Sequence, residues 1–123
     1  MIGLNPGINA QSKEEPIPEA NIIDSVLETK IVETINKYAR EKEWKEIFYK
    51  AIITSWDWSI LRDFNTGIIS GRLIDATLIA KWPDGHCTYR EFKILQKFGG
   101  ISYTEDFSRY SSTYPVECLC DGF

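Results

Sequence analysis

The 123-residue chain contains one histidine and three cysteines, too few for most of the common hydrolytic chemistries. With a single imidazole, His86, most nucleophile–base pairs lack their usual proton acceptor. Cys87 follows His86 directly, so on an extended strand the two side chains point to opposite faces and do not work together. His86, Cys87, Cys118 and Cys120 do not have the spacing of a zinc site. The sequence also lacks a phosphate loop, a dinucleotide fingerprint, a zinc-protease helix and a nucleophile elbow. No catalytic residue, metal or cofactor is assigned. Basic residues number 14 against 18 acidic ones, a net charge of -4, which argues against nucleic acid as a partner. No apolar run approaches the roughly 18 residues that a bilayer-spanning helix needs, so no transmembrane segment is expected.

The composition is that of an ordinary globular domain, with 43% apolar and 13% aromatic residues. Residues 1–17 read as an arm without regular structure, and residues 18–123 as a single α+β domain. The "GINA" run, ending at Ala10 and followed by Gln11, resembles the tail of a signal peptide without its basic start. The expected location is periplasmic, cell-envelope or secreted, with a cytoplasmic chain as the alternative.

From Pro18 and Glu19 the pattern turns helical. Ile23, Leu27, Ile31 and Ile35 recur every four residues, widened by Ile22, Val26 and Tyr38. This predicts one long amphipathic helix over about residues 18–42. After Trp44 the chain is rich in aromatic and β-branched residues, which favours strand. Four strands of an antiparallel meander are expected near 47–54, 56–63, 68–82 and 86–98. Asn65-Thr66-Gly67 and Pro83-Asp84-Gly85 read as hairpin turns closed by a left-handed glycine.

These turns set a register. Ile74 should face Ile94, Ala76 should face Phe92, and Ile60 should face Arg72. Trp56, Trp58, Ile60, Ile74, Ala76, Leu78, Phe92, Ile94 and Phe98 then share one core face beneath the helix. Arg72 falls on that face between Ile60 and Gln96, where an arginine must be paired or reach the rim. Arg72, Gln96 and Trp58 are therefore candidate ligand-binding residues, with a structural arginine as the alternative. The opposite face holds Leu73, Leu95 and Tyr89 and is too apolar for free exposure, so these are interaction candidates. Asp57, Asp75 and Lys93 should lie side by side there, a cross-strand charge pair rather than an acid–base dyad.

Trp82, beside the second turn, is the candidate exposed anchor. The tail carries Tyr103 and Tyr110 among serines and acids and is expected to wrap the second sheet face; the alternative is a recognition loop, which such a mixture resembles. Cys87, Cys118 and Cys120 are disulfide candidates. Pairing of Cys87 with either of the other two would tie the tail to the sheet.

A long helix followed by an antiparallel meander over about residues 18–98 resembles the cystatin-like or NTF2-like α+β roll. Asp57-Trp58, Thr66-Gly67, Arg72, Asp84-Gly85, Cys87 and Cys118 resemble small uncharacterised bacterial proteins exported to the cell envelope. That second resemblance implies export and a Cys87–Cys118 bridge. The resulting expectation is a non-catalytic binding or protein-interaction domain, of inhibitor or immunity type, whose partner is another protein. The alternative is a small-ligand-binding protein or enzyme of the NTF2-like roll type, with a pocket around Arg72. Homodimerisation through the sheet is a third possibility.

Overall fold

A computed structural model describes residues 17–120; the expected arm, apart from Ile17, and the Ala10–Gln11 junction lie outside the described residues. Among the described residues the fold is α+β, one helix on an antiparallel sheet of six strands. The helix α1 spans Ser25–Glu41, starting later than the proline signal suggested. Its start is set by Asp24, whose carboxylate accepts the Leu27 N–H at 3.1 Å. Glu28 in turn accepts the Asp24 N–H at 3.0 Å, so two otherwise unmatched donors are satisfied reciprocally. The residues before it serve the sheet instead. The Asn21 N–H donates to the Ile53 carbonyl at 2.8 Å, and Ile22 forms a β-bridge with Ile53. A helix begun at Pro18 would lose both. The apolar stripe is accordingly shorter than expected: Ile31, Ile35 and Ala39 are buried, whereas Ile23 and Val26 are exposed.

The strands are β1 (Ile47–Ile53), β2 (Ser59–Arg62), β3 (Ile69–Lys81), β4 (Cys87–Phe98), β5 (Tyr103–Ser112) and β6 (Val116–Cys118). The long hairpin β3–β4 is the centre. β1 and β2 both pair with β3, at its two ends; β5 and β6 both pair with β4, likewise. The expected four-strand meander thus becomes a hairpin flanked on each side by an interrupted ribbon. The aromatic tail, expected to wrap a face, adds β5 and β6 to the sheet along β4. Strand pairing satisfies the tail's backbone groups, which lying flat across side chains would leave to water.

The register follows the turns. Trp82 donates its N–H to the His86 carbonyl at 2.9 Å, and Gly85 takes φ 96° in the left-handed region that glycine tolerates. Ile74 faces Ile94, Ala76 faces Phe92, and Arg72 faces Gln96. The first turn is one residue longer than expected: Asp63, not Phe64, bonds Ile68. A bulge between Leu61 and Arg62 absorbs the difference, so Ile60 still faces Arg72.

The core joins Ile31, Ile35 and Ala39 to Phe48, Ala51, Ile53, Ile74, Leu78, Phe92 and Ile94. Each fully buried isoleucine or phenylalanine contributes about 1.5–3 kcal/mol of transfer free energy. The expected core face is correct in its centre and wrong at one end. Trp56 and Ile60 are exposed, while Trp58 is half-buried. The bend at Ser55–Asp57 carries Trp56 off the sheet, and α1 packs on β1 and β5 rather than over β2. This uncovered end of the sheet is where Arg72 lies.

A second cluster forms on the opposite face from Ile52, Ile79, Cys87, Tyr89 and Cys118, with Ile17, Val116 and Cys120 packed against it. One disulfide, Cys87–Cys120, ties the tail to the sheet. The implied Cys87–Cys118 bridge is not the one formed. Cys118 is buried opposite Cys87 in the β4–β6 ladder, and the chain beyond it turns Cys120 back to the same sulfur.

Candidate ligand-binding site

Arg72 lies on β3 with its side chain on the helix side of the sheet, and it is half-buried. Its Nε–H donates to Oε1 of Gln96 at 2.8 Å. Gln96 is itself buried, and its Nε2 donates to the Thr104 carbonyl at 2.8 Å, which orients the amide oxygen toward the arginine. Two aromatic rings lie against the guanidinium. The central carbon lies 3.9 Å from the Trp58 centroid and 4.2 Å from that of Tyr103. Tyr103 is braced in turn by an edge contact with Phe98 at 5.0 Å. The side chain is thus held by Gln96 and two rings, and Arg72 lines the cleft beside it.

That cleft, about 640 Å³, opens between the start of α1 and the sheet. Trp58, Arg72 and Gln96 line its sheet side; Val26, Leu27 and Phe107 supply apolar surface. Lys30 is a second cation in the cleft, with its ammonium 5.9 Å from the Phe107 centroid and 4.0 Å from a Glu105 carboxylate oxygen. Asp24, also at the rim, is committed to capping α1. Exposed Val26, out of place in the expected helix stripe, belongs to the wall of this cleft.

A second arginine provides the comparison. Arg90, also at an even position of β4, lies on the core face, and the parity rule that singled out Arg72 applies to it equally. It too rests on a tryptophan, 3.7 Å from the Trp44 centroid. Here, however, Nε donates to Glu46 at 2.8 Å, and both side chains are buried. Arg90 is a paired structural charge. Among the described residues no carboxylate forms an ion pair with Arg72.

The other candidates fall elsewhere. Leu73 and Leu95 are half-buried, and Leu95 folds over Gly71, where a β-carbon would come within 2.7 Å of its methyl. Tyr89 is buried in the second cluster. Tyr103 belongs to the Arg72 site, and Tyr110 is partly exposed on β5. Of these candidates Tyr89 is enclosed by the fold, whereas Leu73, Leu95 and Tyr110 keep part of their surface exposed. Trp82 is half-buried, its ring stacked on His86 at 5.4 Å and its Nε1–H donated to Thr88 at 2.9 Å. His86 contacts Asp84, and hydrogen bonds from its side chain and backbone hold that carboxyl below the usual aspartate range.

Lys93 pairs with Asp75 at 2.9 Å, whereas Asp57 accepts its neighbour's N–H, from Trp58, in the bend. The expected line of three charges is therefore a pair. Among the described residues no three metal-ligating side chains cluster, and no helix is long and apolar enough to cross a membrane. Comparison with protein-family models, curated proteins and solved structures finds no match for this chain.

Proposed function

We propose that this chain is a binding domain that takes a small anionic ligand with an apolar body at Arg72. The observation that carries the reading is the contrast between two stacked core-face arginines. Arg90 has Glu46, whereas Arg72 has no carboxylate among the described residues and borders an open cleft. A guanidinium held by two rings has lost conformational freedom before any ligand arrives. Its fork offers parallel donors that match a carboxylate or phosphate. Trp58, Leu27 and Phe107 supply apolar contact for the rest of the molecule. The Cys87–Cys120 disulfide supports an oxidising, extracytoplasmic setting.

The test is an NMR titration of ¹⁵N-labelled protein with benzoate and with phenyl phosphate. Saturable shifts of the Arg72 Nε–H and the Trp58 indole are expected. Arg72→Lys keeps the charge but loses the fork, and at least a tenfold weakening is expected. Absence of any shift with both probes, or equal binding by Arg72→Lys, would overturn the proposal.

A protein-binding role draws its support from the apolar surface around Trp82. Leu73, Leu95 and Tyr89 contribute less, because the fold itself uses them.

A further inference from the structure

We infer that the groove beside Trp82 docks an acidic polypeptide segment through an apolar anchor. The inference rests on the protein-binding reading and is independent of the Arg72 cleft. The groove is about 660 Å³, and its floor and walls are Ile47, Tyr49, Trp82, Pro83 and the bridged Cys120. Ile47 is 68% exposed and Tyr49 45% exposed, side by side at the start of β1.

This presentation is built by the backbone. The β1–β3 ladder slips between Phe48 and Lys50, leaving Tyr49 as the extra residue of a β-bulge. Bulges re-aim side chains, and this one keeps Phe48 in the core while Tyr49 turns outward toward the tail. The Tyr49 hydroxyl donates to the Cys120 carbonyl at 3.0 Å, which fixes the ring. Trp82 is fixed by Thr88 and His86 as described. Two preoriented aromatic rings and a proline make a low-entropy anchor site of the kind that dominates protein interfaces.

Charge decides the partner's chemistry. The groove's charged residues are Lys45 and Lys81, and no carboxylate is among the described residues that line it. In a chain of net charge -4 this is a local reversal of sign. It favours carboxylates flanking the anchor and repels a basic segment. Addition of the segment as a further strand is disfavoured along β1. The Asn36 amide donates to the Phe48 carbonyl at 2.8 Å and accepts the Phe48 N–H at 2.9 Å. The far end of the strand is taken by Asn21 and Ile22. Recognition therefore runs through side chains in the groove.

The test titrates ¹⁵N-labelled full chain with three blocked pentapeptides, each a central phenylalanine flanked by glutamates and aspartates, by lysines and arginines, or by glycines. The acidic peptide is expected to shift the Trp82 indole saturably and to bind at least tenfold tighter than the basic one. The double variant Lys45→Glu, Lys81→Glu is expected to invert that order while leaving the benzoate response at Arg72 intact. Equal binding of all three peptides would overturn the acidic specificity and leave the protein-binding reading standing. No binding of any peptide would overturn both. A Trp82 shift that follows protein concentration without peptide would assign the groove to a second copy of the chain and overturn the inference.

Discussion

Arg90 and Glu46 form a buried ion pair at 2.8 Å, closed on one side by Trp44. The second Glu46 oxygen, Oε1, is buried without a hydrogen-bond partner among the described residues. The pair contributes less to stability than its geometry suggests, but breaking it is costly. Glu46→Ala leaves an uncompensated buried guanidinium, and a loss of about 3–5 kcal/mol in urea unfolding is expected. The double replacement Glu46→Met, Arg90→Met should lose much less. If the single change proves as mild as the double one, Arg90 is better solvated than its burial indicates.

Gly71 connects the fold to the ligand site. A β-carbon there would lie 2.7 Å from the Leu95 Cδ1 and 2.8 Å from the Gln96 carbonyl oxygen. The leucine methyl can swing away, but the backbone oxygen cannot. Gly71→Ala is therefore expected to destabilise by about 1–3 kcal/mol, as overpacking does. Because Gln96 holds the Arg72 Nε–H, the same variant should shift that resonance. A stable variant with an unmoved Arg72 signal would refute the close approach.

The Cys87–Cys120 bridge closes a loop with a sequence separation of 33. Chain-entropy arguments give such a loop about 3–4 kcal/mol. Unfolding with and without reductant should differ by up to that amount. Non-reducing peptide mapping of Cys118→Ala should recover the Cys87–Cys120 cross-link intact. Loss of the cross-link in that variant would mean that Cys118 is the natural partner.

Asp84 gives a pH dependence with a defined sign. Its carboxyl is held below the ordinary 3.8, first by the His86 side chain and then by the His86 backbone. A depressed folded pKa contributes stability that is fully present above the unfolded pKa. That contribution fades as pH falls through the lower folded value, so the window lies below about pH 4. His86→Ala removes the side-chain bond and keeps the backbone one. Carbon-detected titration of Asp84 should therefore show its midpoint rising part of the way toward 3.8. An unmoved midpoint would remove His86 as the main cause.

Much of the sheet was readable because two turn motifs fix a period-two pattern. Pro83-Asp84-Gly85 alone places Ile74 against Ile94 and Arg72 against Gln96. The helix core at Ile31 and Ile35 follows from their spacing. Its start did not follow from the proline at 18. Two signals competed there, and Asp24 with Glu28 outweighed it once Ile22 could bridge Ile53. β5 and β6 were hidden for a related reason. Tyr103, Phe107 and Tyr110 among polar residues read as a wrapping tail or a recognition loop, and only the open edge of β4 makes them strand. Arg90 was within reach of the same parity rule that found Arg72, since both occupy even positions.

The sequence by itself determined the α+β class, the central hairpin, its register and the placement of Arg72 on the helix side of the sheet. Those depend on local turn chemistry and side-chain period, which a short stretch of chain encodes. Only the tertiary structure decided that Arg72 borders a cleft between two rings while Arg90 is neutralised, and that Cys87 joins Cys120. Such outcomes depend on where distant segments converge. Trp58 lies just before β2, Tyr103 opens β5, and Glu46 precedes β1. No local pattern in the chain specifies those meetings, because packing of the whole chain sets them.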